Sequence, residues 1–244
     1  LGTAVANESV ELTANRSELV RSVHFDDGDE VEAGDLLLQM ATAEEEAMLG
    51  EAKALLVERE AAHARTVELN EKGIAPESEV QTALALLDAA RARVRTLEAT
   101  IADHVVRAPF AGRLGLRRVS VGTLLQPSAP IATLDDLSVV KVDFTIPETW
   151  LSAVRIGQPI TSRTDAWPDH TFPGQVTAIG TRLDPRTRSV TVRATVPNGD
   201  RLLRPGMLMK VRVERGEAPS LQVPEEALVQ KGTRHFVYVV DAQS

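Results

Sequence analysis

Five histidines, a pair of close aspartates and a pair of close methionines are the side chains that could carry chemistry in this chain. His24, His63, His104, His170 and His235 are scattered, and none stands at ligand spacing from another. A zinc-type site would need imidazoles or carboxylates at short, regular intervals. Asp165 and Asp169 flank Trp167-Pro168 and could form a small acidic site, but a polar hairpin loop is the simpler account. Met207 and Met209 could hold a soft metal. At a spacing of two on a strand they share one face, which reads better as core packing. No HExxH, CxxC, GxSxG or phosphate-loop pattern occurs. With no cysteine, thiol catalysis and disulfides are excluded. The expectation is therefore no catalytic residue, no metal and no cofactor: the chain does not read as an enzyme.

Composition narrows the partners. Net charge is −8 and the isoelectric point is near 5.2, which argues against nucleic acid. Aromatic residues are 3 % of the chain, too few for a base-stacking platform. No apolar run approaches the ~18 residues of a membrane span. The chain starts in mid-pattern at Leu1 and stops just after a strand-like run, Phe236 to Val240. Both ends are expected to be trimmed, with a leader or anchor outside the 244 residues.

The elements that must position any site centre on residues 42–104. Apolar residues recur at every seventh position on one arm, Met48, Leu55, Ala62 and Leu69, and on a second, Val80, Leu87, Val94 and Ile101. The two lines mirror each other about a turn at Gly73, Ile74, Ala75 and Pro76. A secondary line sets Ala52 opposite Leu97, Arg59 opposite Ala90 and Thr66 opposite Ala83. Heptad spacing with large opposite small residues predicts an antiparallel coiled-coil hairpin, with those eight residues as its seam. Thr42 with Glu45 fits a capping box; Lys72-Gly73 reads as a helix stop and Pro76-Glu77 as a start. Each arm would be about 42 Å long at ~1.5 Å per residue. Ala47, Ala54 and Ala61 form a further row. They fit either packing against a neighbouring hairpin or good helix formers on a solvated face.

On either side of the hairpin lie blocks of short strands. Val20 to Met40 is punctuated by Gly28 and Gly34; Val105 to Asp136 is punctuated by Gly112 and Gly122. Their similar length and texture suggest two halves of one β-domain. Further on, Val190, Val192, Ala194 and Val196 alternate with polar residues, as do Met207, Met209, Val211 and Val213. Short half-buried strands broken by Pro185, Pro197, Pro205 and Gly206 favour a small antiparallel barrel.

The run Phe25-Asp26-Asp27-Gly28-Asp29-Glu30-Val31-Glu32-Ala33-Gly34-Asp35 resembles the first half of a biotinyl/lipoyl-type domain. Arg107-Ala108-Pro109-Phe110-Ala111-Gly112 with Val121-Gly122 resembles the second half. A lipoyl domain split by a helical hairpin is similar to the membrane fusion proteins, periplasmic adaptors of tripartite efflux pumps. Val142 to Glu148, Asp184-Pro185-Arg186-Thr187-Arg188 and Leu203-Arg204-Pro205-Gly206-Met207 resemble the family's barrel, and Val223 to Leu228 its membrane-proximal domain. Glu18 departs from the glycine that such proteins often carry there.

The resemblance implies an elongated α+β chain of several domains. These are lead-in strands (1–14), lipoyl-like halves (15–41 and 105–136), the hairpin (42–104), a β-barrel (137–216) and the start of a β-rich membrane-proximal domain (217–244). It implies a periplasmic adaptor, anchored to the inner membrane by an N-terminal lipid or helix. The adaptor would join an inner-membrane transporter of the resistance-nodulation-division (RND) type to an outer-membrane channel. It would self-associate as a trimer or hexamer ring. An adaptor of an ABC-type exporter is the alternative. A lipoyl or biotinyl carrier is a further one, opposed by the lack of a lysine at the inter-half turn: Lys53 lies within a helix and Lys72 at the far tip. By resemblance, the tip would meet the channel through Arg65, Leu69, Gly73, Ile74, Ala75 and Pro76. The family's tip serine falls at Pro76, with Ser78 two residues on.

Overall fold

The computed structural model describes residues 1–214 and 223–238. In chain order its strands are β1 Gly2–Thr13, β2 Val20–Val23, β3 Glu30–Val31, β4 Leu36–Met40, β5 Val105–Arg107, β6 Gly112–Leu114, β7 Pro130–Pro147, β8 Pro159–Thr164, β9 Trp167–Asp184, β10 Ser189–Pro197, β11 Leu208–Val213, β12 Val229–Lys231 and β13 Arg234–Phe236. Helices α1, Ala43–Glu71, and α2, Glu77–Ala102, lie between β4 and β5.

The halves flanking the helices form one module. β4 pairs antiparallel with β5 across the insertion, Leu36 opposite Arg107 and Gln39 opposite Val105. β3 pairs with β6, Glu30 opposite Arg113. Leu12, Val20, Leu37, Leu38, Met40, Leu114, Leu125, Ile131 and Leu134 close its core. Two turns use one device: the Asp29 carboxylate accepts from the Asp26 N–H at 2.7 Å, and Asp35 from the Glu32 N–H at 2.8 Å. Each encloses a glycine with positive φ, Gly28 and Gly34. A Cβ on Gly112 would lie 2.7 Å from the Asp135 carbonyl oxygen, so β6 can approach β7 only with glycine there.

The second core belongs to the barrel: Val140, Val142, Phe144, Ile160, Val176, Val190, Val192, Val196, Leu203 and Met209. Met209 is fully buried within it and Met207 packs against it. The two modules share strands. β1 and β7 run antiparallel from Gly2–Phe144 to Ala6–Val140 in the barrel. A bulge at Asn7 follows, and pairing resumes from Glu8–Asp136 to Leu12–Ala132 in the split module. The division expected at residue 136 is thus a joint within a continuous ribbon. The segment 1–14 leads from the barrel into the split module and pairs with β7 in both. Of the membrane-proximal segment, β12 and β13 form a short exposed hairpin, Val229 opposite Phe236. Residues 217–222 and 239–244 of that expected domain lie outside the described residues.

Candidate functional site: the helical hairpin and the joint that aims it

α1 and α2 pack antiparallel along their length, and ion pairs fix their register. Lys53 Nζ lies 3.2 Å from Glu98, and an Arg91 guanidinium nitrogen 3.5 Å from Glu60. On α2, Leu87, Ala90, Val94 and Leu97 are buried, while Val80 and Ile101 are half-buried. On α1 the expected secondary line of Ala52, Arg59 and Thr66 faces inward, whereas the primary line is displaced by one residue. Leu49, Ala52, Leu56, Arg59, His63, Thr66 and Asn70 are buried or half-buried at alternating spacings of three and four. Leu55 and Leu69 are 41 % and 42 % exposed, so they are not seam residues. Met48 and Ala62 are half-buried beside the seam, and Met48 packs against Ala52, Val94 and Leu97. The two candidate lines differ by one residue, about 100° of helix rotation. Two features choose between them. The Lys53 and Glu60 ion pairs set one flank of α1, and Asn70 must turn inward to donate to the Ala75 carbonyl at 2.8 Å.

The tip is a built turn. Gly73 has φ +74°; its N–H donates to the Asn70 carbonyl and that of Ile74 to the Leu69 carbonyl, at 2.8 and 2.9 Å. This six-to-one plus five-to-two pattern closes the last turn of α1. Ala75 is tucked under the turn, Ile74 is 69 % exposed, and Gly73 and Pro76 are exposed. Arg65 and Leu69, one turn apart, share an exposed face. Lys72 pairs with Glu68. The structure thus brings Arg65, Leu69 and Ile74 to the free surface of the tip and withdraws Ala75 from it.

At the base the capping box does not form. Thr42 precedes α1 without a side-chain bond to the backbone, and its buried hydroxyl donates to Glu46 Oε1 at 2.7 Å. Glu45 faces His104 instead. The buried His104 ring bonds the Thr100 carbonyl through Nδ1 at 2.8 Å, which makes Nδ1 the donor. Nε2 then lies 3.5 Å from Glu45 Oε1, so the start of α1 sits against the end of α2.

A joint aims this rod relative to the barrel. Asn7 donates to Asp136 at 2.7 Å across the bulge, and the Ser138 N–H donates to the same carboxylate at 2.9 Å. Burial acts to raise the Asp136 pKa. Bonds from Asn7 and Ser138, with Lys141 nearby, outweigh it and hold the group below its ordinary value. The buried Asn198 donates to the Leu137 and Leu203 carbonyls at 2.9 and 3.0 Å and accepts from the Leu203 N–H at 3.0 Å. Its loop carries Arg201, which pairs with Glu30 of the split module. Sequence reasoning missed this cluster. Asn198 follows the strand that ends at Pro197, and nothing in its sequence neighbours signals burial.

The relatives can now be placed beside this geometry. Residues 8–134 match the family model for the RND MFP barrel-sandwich hybrid domain, and residues 140–217 match the CusB-like β-barrel domain. The chain belongs to the membrane fusion protein family. NolF, a nodulation protein of Rhizobium meliloti, is 31 % identical over 95 % of the chain and 67 % of its own length. The multidrug resistance protein MdtA of Yersinia pseudotuberculosis is 26 % identical over 99 % of the chain and 60 % of its own. The chain therefore spans roughly two thirds of the curated relatives it matches. Among solved structures, a MacA-MexA chimera carrying the Pseudomonas aeruginosa MexA α-hairpin superposes with a TM-score of 0.81. It covers 98 % of this chain and 91 % of the chimera, at 19 % identity, a likeness of fold. The split module and the barrel described above are the two regions that these family models match.

Proposed function

We propose that this membrane fusion protein is a periplasmic adaptor of a tripartite efflux pump with an RND-type inner-membrane transporter. The observation that supports it most is the hairpin: two helices of 29 and 26 residues closed by a capped turn that presents Ile74, Leu69 and Arg65 at its end. A rigid helical tip can lay into the grooves of another helical assembly. In this reading the tip meets an outer-membrane channel. The barrel and membrane-proximal segment meet the transporter, several copies form a ring around the conduit, and the transporter supplies the energy. The match to the RND MFP barrel-sandwich hybrid model supports the RND reading; an ABC-type exporter partner is the competing one.

The test uses the protein in its natural cell. A deletion strain should become more susceptible to drugs or metals, and the wild-type gene should restore resistance. Ile74→Asp should fail to restore it while expressing normally. Unchanged susceptibility to every compound on deletion would overturn the efflux role.

A further inference from the structure

The end of the barrel that faces away from the split module is open. β7 leaves the split module at Asp136 and reaches this end at Ile146, beside Val190 of β10. A cavity of about 400 Å³ opens to solvent there. Its floor is the barrel core itself, through the buried Phe144, Ile146 and Val154. Val211 and Val213 of β11, both half-buried, form one wall. Another wall is a short 3-10 turn, Glu148–Ala153, which buries none of its own residues and holds Trp150 and Ala153 against the cavity. Trp150 is 51 % exposed. A large ring left half in water at the rim of an apolar cavity calls for an explanation, because tryptophan is ordinarily well covered. Hydrogen bonds fix these walls. The Glu148 N–H donates to the Arg188 carbonyl at 3.0 Å. The Gln158 side chain accepts from the Arg155 N–H at 2.9 Å and donates to the Glu214 carbonyl at 2.8 Å.

We propose that this barrel mouth is a binding site for a neutral, aromatic small molecule of drug size. Barrel mouths are a common place for such ligands, and their cavities run to ~300–1,000 Å³. Among the described residues that line this one, none has a charged side chain. A charge carried into it would lose its hydration and gain no partner, so the part of the ligand that enters is uncharged. The Gln158 amide is already bonded at both ends, which leaves recognition to shape and apolar contact. Trp150 supplies an aromatic ring to stack on, and the valines and Phe144 supply the remaining contact. Other clefts differ in chemistry. The one at the joint is lined by Glu30, Arg113, Asp136 and Arg201, and one beside the β9–β10 turn by Arg182, Asp184 and hydroxyl side chains. The inference goes beyond the proposed function, in which the chain touches only other proteins. It does not depend on which transporter or channel is used.

The test titrates the purified 244-residue chain with N-phenyl-1-naphthylamine, a neutral aromatic dye that brightens when it leaves water. The signal should saturate at one dye per chain. Ala153→Trp, which fills the cavity, should weaken binding at least about tenfold. Trp150→Asp should do the same, because it sets a carboxylate where the ring must lie. Position 150 is half exposed, so this second variant leaves the core alone, and unchanged circular dichroism confirms that it folds. Leu124→Ser, at an exposed leucine of the split module, should bind as wild type does. The anionic relative 8-anilinonaphthalene-1-sulfonate should bind at least about tenfold more weakly than the neutral dye. A signal that does not saturate overturns the proposal. So does a loss at Leu124→Ser equal to that at Trp150→Asp, or equal binding of the two dyes. The competing occupant is a segment of the protein outside these 244 residues. Binding that persists in the protein purified at its natural length supports the small-molecule site, and binding lost there overturns it. None of these outcomes bears on contact at the hairpin tip, so the adaptor reading is tested apart.

Discussion

The Asn7 amide donates to the Asp136 carboxylate at 2.7 Å, across the bulge between Ala6 and Glu8 where barrel pairing gives way to pairing in the split module. That bond sits where β1 and β7 leave one core and enter the next, so it bears on how the hairpin is aimed as well as on stability.

Its pH dependence follows from the sign of the shift. The Asp136 carboxyl is held below its ordinary value, so its contribution is complete above the unfolded-state pKa, near ~4. It fades as pH falls through the lower folded-state value. Wild type should exceed Asp136→Asn in stability at neutral pH, and the gap should close in acid. Urea midpoints taken from pH 7 downward check this; a gap that stays constant would contradict it.

Asn198→Ala should destabilise the barrel by ~2–4 kcal/mol, since it leaves the Leu203 N–H and the Leu137 carbonyl without their partner. The denaturation midpoint should fall with an unchanged slope. A loss near zero would mean that the loop from 198 to 203 re-forms its bonds without the side chain.

The exclusion of Leu55 from the seam has its own test, set against the buried Leu97 of α2. Leu97→Ala empties a site that is 5 % exposed and should cost about 2–5 kcal/mol. Leu55→Ala, at a site 41 % exposed, should cost under about 1 kcal/mol in the isolated chain, because little apolar surface is lost from the fold. Helical circular dichroism during denaturation reads both; equal losses would return Leu55 to the seam.

Much of this architecture is legible in the order of residues, and its limits have physical causes. On α2 the line through Leu87 and Val94 has a rival at Leu86 alone, since Glu79, Arg93 and Thr100 hold the other neighbouring positions, so its phase is plain. On α1 the doublets Met48-Leu49 and Leu55-Leu56 offer two phases. The more apolar one stays at the edge of the seam, and His63 and Asn70 face inward in place of Ala62 and Leu69. The turn at Gly73 is readable because positive φ after a helix favours glycine. The joint is not readable. Asn7, Asp135-Asp136 and Ser138 look like loop residues, and only pairing between distant strands makes them the middle of a ribbon. The missing capping box is of the same kind: the Thr42 hydroxyl bonds Glu46, and Glu45 lies against His104, a residue nearly sixty positions on.

The adaptor reading stands on contact at the tip, and photo-cross-linking in living cells measures that contact. A photoreactive residue at position 74, in a protein that is expressed normally and restores resistance, should yield an adduct with an outer-membrane channel. The same residue at position 57, mid-rod and 65 % exposed, should yield none. Absence of any channel adduct from position 74 in cells whose resistance is restored would contradict the bridging role.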